Sequence, residues 1–306
     1  MNKLINPLLW IILPLAAFFA VSCGSESSDD ERPYVVTTTM MLEDVVNQIA
    51  GDFVRVDGLM GPGVDPHVYR ATPGDFRALE RADLILYNGH FLEARLSEIL
   101  SQMPERTFAA AEQIDTELLI EAYEFGGNYD PHVWFDVSLW MQVTEAVGAR
   151  LQELVPNHAE EIAANTTSYL DELRELDEWV RERLNEIPEG RRVLITAHDA
   201  FSYFGEAYGF DVMGLQGLST QSEYGLRDVS QMVRFIIENE IPAIFLETSI
   251  APRSVQSLIN GVTERGGTVQ LGGELYSDAM GARGTEEGTF TGMVRFNVNT
   301  ITEALK

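Results

Sequence analysis

The pattern Asp-Pro-His-Val-aromatic occurs twice in this chain, as Asp65-Pro66-His67-Val68-Tyr69 and as Asp130-Pro131-His132-Val133-Trp134. A proline stiffens the approach to each histidine. An acidic residue two positions earlier can accept the second ring N–H or cap the turn. The first copy follows Gly61-Pro62-Gly63 and the second follows Gly126-Gly127-Asn128, so both imidazoles fall on loops or loop-to-helix junctions, where α/β sheets present their ligands. A third histidine, His198, ends the apolar run of Leu194-Ile195-Thr196-Ala197-His198, and Asp278 follows another such run in Glu274-Leu275-Tyr276-Ser277-Asp278. Two imidazoles from the first half and an imidazole with a carboxylate from the second make a donor set for a divalent transition metal. Any one of these histidines could instead be a structural hydrogen-bonding residue. The separations, 65 residues or more, are far wider than the ligand spacing of a zinc finger, so spacing alone does not define a site.

The other titratable candidates are weaker. His90 is followed by Phe91, Leu92 and Glu93, which reads as a helix start, and His158 sits beside the start of a long helical pattern; neither is expected to be a ligand. Glu247 ends an apolar strand-like run and could accept a hydrogen bond from a ligand, act as an alternative ligand, or form a salt bridge or helix cap. Catalytic zinc leaves a coordination position open for water and needs a general base, for which Glu247 or Asp199 could serve. Asp278 would close that position, and no His-Glu-x-x-His motif is present.

The elements that must hold these residues alternate. Short β-branched and aliphatic runs lie at 34–38, 55–60, 82–88 and, more weakly, 107–110, and again at 192–197, 211–216, 243–248 and 268–272. Helical stretches such as 41–49, 73–81, 224–239 and 251–265 separate them. The reading is α/β, with two Rossmann-like lobes, each a mainly parallel sheet with flanking helices. Between them, apolar residues recur at helical spacing (Tyr169, Leu173, Leu176, Val180, Leu184, Ile187) from a start at Asn157, with Glu160 in the capping-box position, to a stop at Pro188 and Gly190. This predicts one helix of about 30 residues, about 45 Å long, acting as a rigid connector. The expected boundaries are a first lobe at 33–156, the connecting helix at 157–188 and a second lobe at 189–306.

Residues 1–22 read as a targeting segment: Lys3, then an uncharged, mostly apolar run from Leu8 to Val21, too short for a comfortable membrane span. Cys23 is the only cysteine. It cannot form an internal disulfide, and its place after Ala20-Val21-Ser22 resembles a lipobox, which makes Cys23 the lipidated first residue of the mature chain and 23–32 a flexible tether. Removing residues 1–22 takes away one basic group and no acidic one, so the net charge goes from −27 to −28. Such a surface repels nucleic acid.

The chain resembles the cluster A-I solute-binding proteins of ABC importers for zinc and manganese. The likeness covers nearly the whole mature chain. It rests on the two pentapeptides extended to Thr72-Pro73-Gly74-Asp75 and to Phe135-Asp136, on His198-Asp199-Ala200-Phe201-Ser202-Tyr203-Phe204, on Leu215-Gln216-Gly217-Leu218-Ser219 and on Leu275-Tyr276-Ser277-Asp278. The resemblance implies two α/β lobes joined by one long helix, with His67, His132, His198 and Asp278 holding one Zn²⁺ or Mn²⁺ in the cleft. It implies capture rather than catalysis, an ABC permease and its ATPase as partners, and a monomer held outside the cytoplasmic membrane by its lipid. An adhesin-type surface lipoprotein and, more remotely, a zinc-dependent hydrolase are the alternatives. The stretch 112–128 lacks the histidines that many zinc-specific members carry in a first-lobe loop, while His198 stands where some manganese-binding members have Glu. Ligand chemistry tilts the reading to zinc, because Mn²⁺ lies at the weak end of the divalent series.

Overall fold

The Tyr34-Val35-Val36-Thr37 segment is β-branched or aromatic throughout, the composition of a strand covered on both faces. In the computed structural model, which describes residues 30–122, 128–221 and 224–306, it forms β1 (Tyr34–Thr37), with all four residues buried. The expected targeting segment, Cys23 and most of the tether lie outside the described residues. β1 is flanked by β2 (Arg55–Gly58) and β3 (Leu84–Tyr87), and β4 (Thr107–Ala109) lies beyond β3; all are parallel. Side chains alternate across this sheet. Val35, Leu84 and Leu86 face the core that contains α1 (Met40–Ala50). Tyr34, Val36 and Ile85 face Leu79 of α2 (Pro73–Arg81) and Leu100 of α3 (Ser97–Ser101).

A short antiparallel pair, β5 (Glu121–Ala122) and β6 (Asn128–Tyr129), follows. Next come α4 (Val137–Leu154) and α5 (Ala159–Leu184). The second lobe repeats the logic of the first. β7 (Val193–His198) leads through α6 (Ser202–Tyr208) to β8 (Asp211–Gln216), which is parallel to it. α7 (Leu226–Glu238), β9 (Ala243–Glu247) and α8 (Arg253–Glu264) then bring the chain to β10 (Gln270–Leu275), parallel to β9. β7 and β9 lie side by side, so the spatial order β8-β7-β9-β10 matches the order β2-β1-β3-β4 of the first lobe. In each lobe the chain reverses its direction of travel across the sheet between the two central strands. The carboxyl ends there form the crevice in which open α/β sheets bind ligands.

All eight strands anticipated from the sequence form, β8 with the expected bounds and the others with shifted ends. The largest shift is at β10, which begins at Gln270 and runs on to Leu275. A bulge between Leu271 and Gly273, with Gly273 at φ 138°, carries the strand past the expected stop at residue 272. Two expectations fail locally. His90 does not start a helix: Gly89, His90 and Phe91 all have positive φ and make a left-handed turn. Asn157 does not cap the long helix. Pro156 opens a single 3₁₀ turn that takes in Asn157, so the α-helix starts at Ala159, with His158 as an N-cap whose side chain makes no capping bond. The His158 ring instead stacks on Phe53 at 4.4 Å.

At 26 residues, α5 is shorter than expected. It is about 39 Å long at 1.5 Å per residue. Its apolar stripe is as the sequence indicates: Tyr169, Leu173, Leu176, Val180 and Leu184 are all buried. The stripe packs on α1 and α4 from one side of the molecule and on α9 (Phe290–Leu305) from the other. One core therefore runs beneath both lobes, joining Val35 and Leu86 of the first sheet to Leu194 and Phe245 of the second. Asp44, buried on α1, accepts from Tyr169 Oη at 3.2 Å and from the backbone N of Phe290 at 3.0 Å, tying α1, α5 and α9 at one point. Truncating a fully buried leucine in such a core costs about 2–5 kcal/mol. Leu173→Ala should therefore shift the denaturant midpoint of the whole domain by that equivalent; a shift below about 1 kcal/mol would contradict a shared core.

Candidate metal centre

His67 lies in the connection from β2 to α2, which is pinned at both ends. At its start, the backbone N of Leu59 and of Met60 donate to the carbonyls of Thr37 and Thr38. At its end, Thr72-Pro73-Gly74-Asp75 proves to be a capping box: Thr72 Oγ1 accepts from the N of Gly74 and Asp75, and Asp75 Oδ2 accepts from Thr72 N at 2.6 Å. Asp75 Oδ2 also takes the Tyr69 hydroxyl at 2.7 Å. His132 lies between β6 and α4, and there the loop is closed by Asp136, the N-cap of α4. His198 is the last residue of β7, and Asp278 follows β10 by three residues. Thus each ligand candidate sits where a strand or a cap fixes the backbone, and His67, His198 and Asp278 lie at or beyond the carboxyl ends of parallel strands.

The two similar pentapeptides turn out to work differently. Asp130 Oδ1 accepts from the backbone N of His132 at 2.9 Å and lies 2.7 Å from Nδ1 of the same residue, so it caps the turn and grips the ring. Asp65 Oδ1 accepts from His67 N at 2.9 Å and caps its turn, but Oδ2 takes the hydroxyl of Thr220 across the cleft at 2.6 Å. Glu247 does for His198 what Asp130 does for His132: Oε1 accepts from the backbone N at 2.8 Å and Oε2 lies 2.5 Å from Nδ1. A carboxylate on Nδ1 places the proton there and leaves the Nε2 lone pair free for a cation.

Nε2 of His67, His132 and His198 and the carboxylate of Asp278 converge on one point, all within 4.8 Å of one another. His67 Nε2 is 3.2 Å from His132 Nε2. Asp278 Oδ1 is 3.5 Å from His132 Nε2, and Oδ2 is 3.3 Å from His198 Nε2 and 3.9 Å from His67 Nε2. Four donors at the 2.0–2.1 Å zinc bond length would stand about 3.3–3.4 Å apart at the corners of a tetrahedron. The four side chains are at most 2 % exposed. His198 Nε2 and both oxygens of Asp278 are shielded from water and make no well-aligned hydrogen bond. Buried polar atoms in such a state call for a partner, and a divalent cation would satisfy all three at once. The four residues that the sequence singles out as donors lie together in the structure. His90 and His158 lie elsewhere: His90 Nε2 bonds the Ala111 carbonyl at 3.1 Å, and His158 pairs with Glu161 at the surface. Glu247, left open between three roles, touches the ring of His198 from behind.

The electrostatics of the cluster are divided. Burial drives the His67 imidazole down to about 3, so it is neutral at physiological pH. Burial also acts to lower His198, but the carboxylates of Glu247 and Asp278 outweigh it and hold this imidazole well above its ordinary value. For Asp278 burial acts upward, and the surrounding imidazoles overcome it and keep the carboxyl well below the usual range. At neutral pH the metal-free site thus holds a proton on His198, opposite Asp278. A cation bound at this point would have to displace it, because a metal ligand has to be deprotonated.

The family profile described as "Zinc-uptake complex component A periplasmic" matches residues 35–304. The manganese-binding lipoprotein MntA of Bacillus subtilis is 46% identical over 296 residues, 95% of this chain and 96% of that protein. The zinc-binding protein TroA of Treponema pallidum is 46% identical over 298 residues, 96% of each. The solved structure of the periplasmic zinc-binding protein TroA superposes with a TM-score of 0.87 at 47% identity, covering 90% of this chain and 99% of that one.

Displacement of the His198 proton can be measured directly. Calorimetric titration at neutral pH in buffers of different ionisation enthalpy should show close to one proton released per ion bound, with affinity falling on acidification. Binding without proton release would contradict the charge state assigned to His198 and Asp278.

Proposed function

The chain belongs to the ZnuA family (cluster A-I) of metal-binding substrate-binding proteins of ABC importers, and on that premise we propose how it carries out that role. It captures one divalent transition-metal ion on His67, His132, His198 and Asp278 and delivers it to a permease and its ATPase. The observation that carries this reading is the convergence of three imidazole nitrogens and one carboxylate, from three loops and the end of β7, on a point shielded from solvent.

The same observation favours capture over catalysis. Asp278 fills the fourth position of a tetrahedral set, and both oxygens of Glu247 are engaged by His198, so neither residue is free to serve a bound water. Burial of all four donors holds an ion rather than presenting it to a second substrate. Membership in the family places the protein outside the cytoplasm, and no described helix is long and apolar enough to cross a membrane. Cys23 would supply the anchor as a lipid-modified N-terminus, and the protein would work as a monomer.

The names of the relatives divide between manganese and zinc at equal identity. Ligand chemistry favours zinc: three imidazoles and a carboxylate suit a four-coordinate ion, and Zn²⁺ binds nitrogen ligands more tightly than Mn²⁺ does. Manganese would need more oxygen donors, for which Asp278 would have to bind through both oxygens.

Metal analysis of the purified protein, followed by competition titration, tests the reading. One ion per chain is expected, with Zn²⁺ displacing Mn²⁺ at equal free concentration; preferential retention of Mn²⁺ would overturn the zinc assignment. His198→Ala should weaken binding at least about a hundredfold, since losing even a partner behind a ligand typically costs about 10–100-fold. Unchanged stoichiometry and affinity would refute the site.

A further inference from the structure

Glu93 is a carboxylate buried to 3 % exposure that the metal centre does not use. It follows the left-handed turn at Gly89, His90 and Phe91, whose φ values are 93°, 49° and 63°. Two of these residues carry side chains in a backbone region they seldom occupy, and such strain persists only where the surroundings over-determine it. The turn folds Glu93 back beneath the carboxyl ends of the two central strands. Its Oε1 accepts from the Thr38 hydroxyl, just past β1, at 2.6 Å and from the backbone N of Asn88, just past β3, at 2.8 Å. Its Oε2 accepts from Gly89 N at 3.2 Å.

The Asn88 side chain, itself 1 % exposed, continues the chain of contacts. Its Nδ2 donates to the carbonyl of Pro131 at 3.0 Å and to that of Gly89 at 3.3 Å. Pro131 directly precedes His132. The backbone on which His132 is mounted is therefore held on one side by Asp130, from within its own loop, and on the other by Asn88, which reaches it from a different part of the sheet. Thr38, held by the same carboxylate, has a carbonyl that accepts from Met60 N at the start of the connection carrying His67. One buried carboxylate thus gathers the roots of both first-lobe ligand loops.

We propose that Glu93 and Asn88 are positioning residues for the metal centre, with Glu93 fixing the ends of β1 and β3 and Asn88 transmitting that register to His132 through the Pro131 carbonyl. Neither residue touches the ion. The inference rests on the ligand role of His132 proposed above. Burial raises the Glu93 carboxyl above its usual range, and its hydrogen bonds act the other way, as expected for a group whose place depends on keeping every one of its donors. Replacing Glu93 by Gln sets an amide N–H against backbone N–H donors, and replacing Asn88 by Asp sets an oxygen against the Pro131 carbonyl.

The test is a double-mutant cycle on zinc affinity, measured by chelator competition with the full chain. Asn88→Ala should weaken Zn²⁺ binding by about tenfold in the otherwise natural protein and by less than twofold in a His132→Ala background, because its effect runs through that imidazole. An equal loss in both backgrounds would show that Asn88 supports only the general fold and would overturn the proposal. If His132→Ala alone leaves the affinity unchanged, it is the assignment of the site that fails. Glu93→Gln should lower affinity in the same His132-dependent manner, while Glu93→Asp, which keeps the charge but shortens the reach, should retain part of it. Glu93→Gln with natural affinity would equally overturn the proposal.

Discussion

A carboxylate removed from water with no aligned donor on either oxygen is among the costlier groups a fold can contain. Asp278 is such a group, and much of the molecule is arranged around it. Three imidazoles turn their Nε2 atoms toward it, at 3.3–3.9 Å. In the metal-free protein a proton on His198 offsets its charge; in the loaded protein a dication would do so more fully. On the proposed role, binding and release would be exchanges of positive charge at one buried point. The affinity of the site depends on how firmly the surrounding backbone keeps the imidazoles aimed there once the proton has left.

That firmness comes from carboxylates one layer out. Asp130 and Glu247 each clasp a ligand ring and the backbone N of the same residue. Among the described residues His67 has no such clasp; its Asp65 partner reaches across to Thr220, and Gln221 Nε2 donates to the His67 carbonyl at 2.7 Å. Trp134 Nε1 likewise crosses from the first lobe to the carbonyl of Ser277, next to Asp278. The lobes are thus connected at the mouth of the site by hydrogen bonds and beneath it by a continuous apolar core along α5. Wide separation of the lobes would expose that core. Such a framework favours small tilts and local loop changes over a wide opening of the lobes.

The α/β layout, the succession of strands along the chain and the apolar stripe of α5 were legible in the sequence because each rests on a short-range pattern: β-branched runs, and recurrence at three and four residues. The four ligand candidates were legible as residue types at strand and loop ends, two of them in matching pentapeptides. Their partners were not. Asp65 and Asp130 occupy identical local contexts yet serve different neighbours, because those neighbours, Thr220 and the His132 ring, are chosen by the fold. Glu247 stayed ambiguous for the same reason: nothing near it in sequence shows that β9 lies against β7. The bracing by Glu93 and Asn88 was missed altogether, although the Asn88-Gly89 pair is a turn signal and Thr37-Thr38-Thr39 marks a strand end rich in hydroxyls. The helix start misplaced at Asn157 came from reading a capping box without giving weight to Pro156, which begins a 3₁₀ turn of its own.

On the proposed role, one ion sits among His67, His132, His198 and Asp278, with Glu247 and Asp130 one layer behind. A crystal structure of the zinc-loaded protein, with the ion located by anomalous scattering at the zinc edge, tests it most directly. The account predicts a single peak within about 2.0–2.2 Å of Nε2 of His67, His132 and His198 and of at least one oxygen of Asp278. A peak elsewhere, or an ion bound by Glu247 in place of Asp278, would contradict it.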